Sequence, residues 1–270
     1  MDLIEISYFD LGLAGLLVIL LAAVSWWARL GIGHRLLIAA ARTIIQLSLI
    51  ALVLEALFAA DGFFWIALMA TVMVLIAGRE VASRQERRFI RGQSFAIGTL
   101  SIFLSGFSVT VFALLVIIGP DPWYSPQYAI PLLGMMLGNT MTGVAVSLDR
   151  LTQSAWDHRA VIENRLMLGE TWQSAIGHLR RDAMRSGMIP TINAMATAGI
   201  VSLPGMMTGQ ILSGTTPALA VRYQILIMLA IAVGTGFGTM AGVLIASRNL
   251  FDGRQRLRLD RLQTPNGSKW

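Results

Sequence analysis

The sequence predicts an all-α, polytopic membrane protein with about seven transmembrane helices, and three observations carry that prediction. Hydrophobic residues make up 55% of the 270 and charged residues 13%, about half the charged share of a typical soluble domain. The apolar residues fall in runs of about 20, the length at which a helix crosses about 30 Å of hydrocarbon. Lys and Arg concentrate in every second loop, the pattern of a chain that threads a bilayer repeatedly.

Read in order, the expected spans cover 11–28, 36–58, 63–82, 94–119, 128–148, 186–214 and 219–247, as one transmembrane domain. The acidic start, MDLIEISYFD, runs into an apolar stretch too long for a signal-peptide core, so span one is expected in the mature protein. Polar or turn-rich segments separate the spans, Gly119-Pro120-Asp121-Pro122 most plainly. Of the 21 Lys and Arg, all but Arg42 and Arg222 lie at or in the segments that follow spans one, three, five and seven. The N-terminal tail and loops 59–62, 120–127 and 215–218 have none. The N-terminus is therefore expected outside and the C-terminus in the cytoplasm. A missed or extra span would break this alternation. The same distribution accounts for the net charge of +6 without nucleic acid as a partner.

Several chemistries are excluded by what the chain lacks. It has no cysteine, hence no disulfide and no thiolate. Its one lysine, Lys269, is next to last, so no P-loop lysine can reach a nucleotide phosphate. His34, His158 and His178 have no metal-protease spacing and are read as solvated helix residues. No carboxylate pair sits deep in a span, which argues against a proton relay. The chain is not expected to be an enzyme, and no cofactor or resident metal site is expected.

The largest polar piece is 149–185. Leu151, Ala155, Ile162, Leu166, Trp172, Ile176 and Leu179 recur at helical spacing. Gly169 interrupts the pattern, and Thr171 is placed to cap a second short helix. Two short helices meeting at Gly169 are expected. They either lie along the membrane surface or dock into a cytoplasmic partner.

Residues Glu163-Asn164-Arg165-Leu166-Met167-Leu168-Gly169 keep the Glu and Gly spacing of the EAA loop of ABC permeases, the segment that contacts the ATPase. Asn164 and Arg165 replace that motif's two alanines, and Asp182 stands where its proline is expected. From Arg42 to about Phe251 the chain resembles the FetB family of ABC permeases. RTIIQL at 42–47, IPLLGMMLGN at 130–139 and SLPGMMTGQILSG at 202–214 are the most specific stretches. The resemblance implies a permease in the bacterial inner membrane, paired with a separate cytosolic ABC ATPase and linked to iron export. Plant relatives are linked to aluminium tolerance, with nucleotide-sugar transport a further suggestion, so the substrate stays open. On this reading 149–185 is a cytoplasmic coupling segment, with Glu163, Leu166, Gly169 and Trp172 contacting the ATPase. A homodimer of the permease is expected.

Two short sequences in the membrane echo each other. Gly134-Met135-Met136-Leu137-Gly138-Asn139 lies in span five and Gly205-Met206-Met207-Thr208-Gly209-Gln210 in span six. The spans run oppositely, so both copies fall in the outer half of the membrane. Either the Met residues, Asn139 and Gln210 line a substrate path, or the glycines simply let helices pack closely. Thioethers favour soft ions such as Cu(I) over Fe(III). A helix break is expected at Leu203-Pro204-Gly205, because proline removes a backbone donor, and broken helices commonly line transporter sites. A simple kink is the alternative. Asn193, one turn from Thr197, extends a polar face below Pro204. Arg42 and Gln46 share a face of span two, where Arg42 either snorkels to the surface or pairs inside the bundle. Gly234, Gly238 and Gly242 in span seven are read as packing glycines. The rival function is a stand-alone secondary transporter or channel for a metal ion or small solute.

Overall fold

Ser7 opens the first helix with a reciprocal cap. Its hydroxyl accepts from the Asp10 amide at 3.3 Å, and the Asp10 carboxylate accepts from the Ser7 amide at 2.9 Å. The computed structural model describes residues 7–59 and 62–263. It falls into two compact units. The first contains α1 (Tyr8–Trp27), α2 (Gly33–Ala59) and Leu212–Gly214. There α2 begins against α1, and a Cβ on Gly33 would lie 3.0 Å from the Ala22 carbonyl oxygen.

The second unit holds the remaining described elements. Helix α3 (Phe63–Ser83) leads to a helical run from Gln93 to Ile118. That run comprises α4 (Gln93–Ile102) and α5 (Ser108–Phe112), with π-helical turns at Phe103–Phe107 and Ala113–Ile118. Then follow α6 (Pro126–Asp157), α7 (Arg159–Met167), α8 (Trp172–Ala175), α9 (Gly177–Thr197), α10 (Gly205–Leu212) and α11 (Pro217–Asn249). Pro126 and Pro217 stand in the first turns of α6 and α11, where a missing N–H costs nothing. Among the described residues there is no strand, only isolated bridges.

Six helices among the described residues are long and apolar enough to cross a membrane. The difference from seven lies in the expected span 186–214. The chain is helical only to Thr197, turns on Gly199 at φ +81°, and resumes at Gly205. Neither piece alone is long and apolar enough: α9 starts among arginines, and α10 has 8 residues. The break is a loop over 198–204 rather than a kink at Pro204, held by a Gly199 amide to Ser202 carbonyl bond of 2.9 Å.

Helix α6 also departs from expectation by continuing to Asp157 instead of stopping near 148, while α9 begins at Gly177 rather than 186. No glycine or proline interrupts 144–157, so helical hydrogen bonding persists through the charged residues. The segment outside the long helices thus shortens to 158–176. The 32 residues of α6 and 33 of α11 make rods of about 48 and 50 Å at about 1.5 Å per residue. Both exceed a hydrocarbon core of about 30 Å by some 18–20 Å; in α6 much of the excess is the polar stretch 149–157, whereas α11 stays apolar to Ala246 between Arg222 and Arg248.

The core follows α6, on which α3, α9 and α11 pack. At its centre three helices nearly touch. A Cβ on Gly187 would lie 2.6 Å from the Gly143 carbonyl oxygen, 2.8 Å from Ser147 Cβ and 2.8 Å from Thr239 Cγ2. A Cβ on Gly143 would collide with Thr235 and lie 2.9 Å from the Gly187 carbonyl oxygen. Small residues permit such backbone approach in lipid.

Candidate transport vestibule and docking elbow

At the opposite end from the arginines, α6 and α11 part. A cavity of about 270 Å³ opens there, lined by Met135 and Tyr128 of α6, Met206 and Gln210 of α10, and Tyr223 of α11. The two echoing sequences therefore face one another across a hollow. The proline near the start of α6, Pro131, also lines it. No charged side chain lines this cavity. Met136 is fully buried, with its Cε 2.8 Å from where a Gly234 Cβ would stand, and Met207 is also buried. These two do not line this cavity. Neighbours on a helix point about 100° apart, so only one member of each Met-Met pair reaches the hollow.

The polar candidates divide in the same way. Asn139 is exposed one turn along from Met135 and spends an amide hydrogen on the Met135 carbonyl at 2.8 Å. Asn193 is exposed on α9, its carbonyl accepting from the Thr197 hydroxyl at 3.0 Å. Neither lines the cavity. The Pro204 carbonyl accepts the opening bond of α10 from the Thr208 amide at 3.1 Å and also accepts from the Thr208 hydroxyl at 3.2 Å. Arg42 and Gln46 share an exposed face of α2 in the first unit.

The glycines sort by environment. Gly234, Gly238 and Gly242 lie in contact: Cβ atoms there would fall 2.8 Å from Met136 Cε, 2.7 Å from Ser105 Oγ and 3.2 Å from Ser101 Oγ. Gly134 would meet only Met73 Cε, at 3.5 Å. The packing expected of Gly138, Gly205 and Gly209 is not made among the described residues, none of which lies within 4 Å of a Cβ at any of them. Short α10, set off by the 198–204 loop, has no close neighbour on that side. The close contacts at Gly143 and Gly187 were not expected, because neither has a second glycine four residues away on its helix. The π-turns were missed too; Ser108 Oγ bonding back five residues to the Phe103 carbonyl at 3.1 Å is their local sign.

A larger hollow of about 500 Å³ lies beside α3 and the Gln93–Ile118 run. Phe63, Phe95, Phe103, Phe107 and Trp123 give it an almost wholly apolar lining. It offers little to an ion.

At the arginine-rich end, α7 and α8 form an elbow. Gly169 turns it at φ +88°, a left-handed conformation that favours glycine. The Thr171 hydroxyl caps α8 by accepting from the Ser174 amide at 3.4 Å. The predicted apolar face is consumed by the chain's own core. Leu151, Ala155, Ile162, Ile176 and Leu179 are buried, and Leu166 and Trp172 pack against them. Trp172 stacks on Phe251 with ring centroids 5.5 Å apart. What stays outside includes Val161, Glu163 and Asn164 and, most exposed, the tip, Met167 at 77% and Leu168 at 84% exposure. Periodicity identifies the buried face of a helix pair, so these tip residues were passed over.

The elbow is braced from beneath. Gln153 Nε2 donates to Glu86 at 2.7 Å and to Asp149 at 3.1 Å, and Asp149 accepts from the Glu86 amide at 2.8 Å. The Arg87 guanidinium lies 4.2 Å from the Trp156 ring centroid. Among the described residues no group of three or more His, Cys, Asp or Glu could hold a metal ion.

Long apolar helices around a vestibule define a multi-pass membrane transport protein. The chain belongs to the uncharacterised protein family UPF0014, whose model matches residues 8–251. It is similar to a UPF0014 membrane protein of Synechocystis, at 39% identity over 256 residues, covering 94% of this chain and 98% of the relative. It is similar to the probable iron export permease protein FetB of Escherichia coli, at 30% over 260 residues, 96% and 98% of the two chains. A third relative is the protein ALUMINUM SENSITIVE 3 of Arabidopsis thaliana, at 35% over 216 residues, 80% and 77%. No solved structure matches the chain.

Proposed function

We propose that this chain is the membrane-spanning subunit of an ABC transporter, working as a homodimer with a separate cytosolic ATPase. The observation that carries the proposal is the elbow. It stands beyond the length that a bilayer needs of α6, it presents Met167 and Leu168 to solvent, and it is rigidly joined to α6 and α9 through the shared core. A push on the tip is thereby delivered to α6, which also walls the vestibule. Lys269 cannot serve a P-loop, so ATP hydrolysis belongs to the partner.

In this reading the arginine-rich end faces the cytoplasm, the N-terminus lies outside, and the membrane is the bacterial inner membrane. The halves 186–197 and 205–212 together supply about 30 Å of helix, one crossing made in two pieces. Closure of the ATPase dimer tilts the bundle about the Gly143–Gly187 contact and opens the Met135–Met206 vestibule outward. Iron is the first substrate to test, given the name of the Escherichia coli relative. The vestibule's thioethers and neutral oxygens, with no carboxylate, make Cu(I) the necessary comparison.

Pull-down of the tagged chain from membranes, with a non-hydrolysable ATP analogue present, tests the proposal. An ABC ATPase in stoichiometric yield is expected. Its absence, together with ion-gradient-driven flux in vesicles containing this chain alone, would favour the secondary transporter.

A further inference from the structure

The chain after α11 does not trail away from the elbow; it folds into a hairpin against it. The Phe251 and Leu257 backbones pair, and the Arg258 amide donates to the Leu250 carbonyl at 2.8 Å. Asp252 ties the turn. Its carboxylate accepts from the amides of Arg254 and Arg256, each at 2.9 Å, and from the Arg256 guanidinium at 2.8 Å. Gln255 adopts φ +59°, an uncommon conformation for a residue with a side chain. From there its Oε1 accepts from the Trp172 amide at 3.0 Å, at the start of α8. With the Trp172–Phe251 stack, hairpin and elbow form one body.

A groove of about 790 Å³ runs between them. Glu163, Leu166, Met167 and Glu170 form one wall, and Arg254 and Leu257 are on the other. Two of its four charged groups are already engaged: Glu170 with Arg165 at 3.8 Å and Arg256 with Asp252 at 2.8 Å. Arg254 stands exposed on the rim with its guanidinium in no ion pair among the described residues.

We infer that the ATPase's docking surface on this chain is bipartite, made of the elbow and the 251–257 hairpin. The inference rests on the ATPase reading above. The occupant is an ATPase face with an apolar pocket for Met167 and Leu168 and an acidic group beside it for Arg254. The apolar tip gives that contact its burial, and the guanidinium selects the partner by charge. A lipid surface is a poorer match, because the Glu163 and Glu170 carboxylates on the groove wall would face anionic headgroups.

The test uses the full chain with the ATPase recovered alongside it, reading ATP hydrolysis stimulated by the permease and the yield of the complex. Arg254→Glu is expected to lower stimulation at least tenfold with an unchanged melting temperature, and Arg254→Lys to keep most of it. Met167→Asp in the elbow is expected to abolish it. If Arg254→Glu couples normally while Met167→Asp does not, the hairpin inference is overturned and the elbow reading stands. If Met167→Asp also couples normally, the elbow reading falls with it.

Discussion

Helices α6 and α11 meet differently at their two ends. Toward the arginine-rich end, Gly143, Gly187, Thr235 and Thr239 bring three backbones into contact with no room for a methyl group. Toward the other end the same helices diverge around Met135, Met206 and Gln210. The first region is a fixed point and the second has space to change. A transporter needs both, because a rigid contact converts a push at one end into opening at the other. The elbow lies on the fixed side.

Gly187→Ala strikes this contrast hardest. It is expected to cost about 2–3 kcal/mol through overpacking against the Gly143 carbonyl and Thr239, seen as a fall in melting temperature in detergent. Gly143→Ala should behave alike. If both melt like the parent chain, the helices are not in contact there. The double variant Met135→Ala, Met206→Ala is expected to melt normally yet lose about tenfold in transport, about 1.4 kcal/mol. Gly169→Ala is expected to cost about 1 kcal/mol, since an alanine at φ +88° is strained, and to weaken coupling more than stability. Smallest is Gly209→Ala, which meets open space and should be neutral or gain up to about 1 kcal/mol of helix propensity.

The hairpin adds a pH dependence whose sign is fixed. The Arg256 amide chiefly, with the Arg256 side chain and Arg254 amide, holds the Asp252 carboxyl down at about 2. A carboxyl lowered in the folded state contributes stability above its unfolded value of about 3.9, and that contribution is lost as pH falls toward 2. The fluorescence of Trp172, isolated by replacing the other tryptophans, should therefore be flat from pH 8 to 5 and change only below about 4. Asp252→Asn should show the loosened signal already at neutral pH.

Much of the fold was legible because lipid leaves few options. Span positions follow from apolar run length, and the observed helices begin and end within a few residues of the expected ones except at α6 and α9. Those two continue into water because helical hydrogen bonds are internal and need no apolar surroundings, which hydropathy does not register. The Pro204 break was visible, but its start at Ala198 was not, since Ala-Gly-Ile-Val-Ser reads as ordinary membrane helix. In the site, the facing Met motifs were legible from opposite span directions. Which methionine of each pair faces inward depends on helix rotation, and that is set by partners such as Gly234. Gly143 and Gly187 were illegible for a similar reason, being neighbours only in space.

The absence of cysteine makes the decisive measurement simple. A chain carrying Met167→Cys, expressed with the proposed ATPase partner, is treated with a membrane-impermeant maleimide before and after cell lysis. The account predicts no labelling in intact cells, labelling after lysis, and renewed protection when the ATPase is bound. Labelling of Cys at 167 from outside intact cells would place the elbow away from ATP and contradict the mechanism.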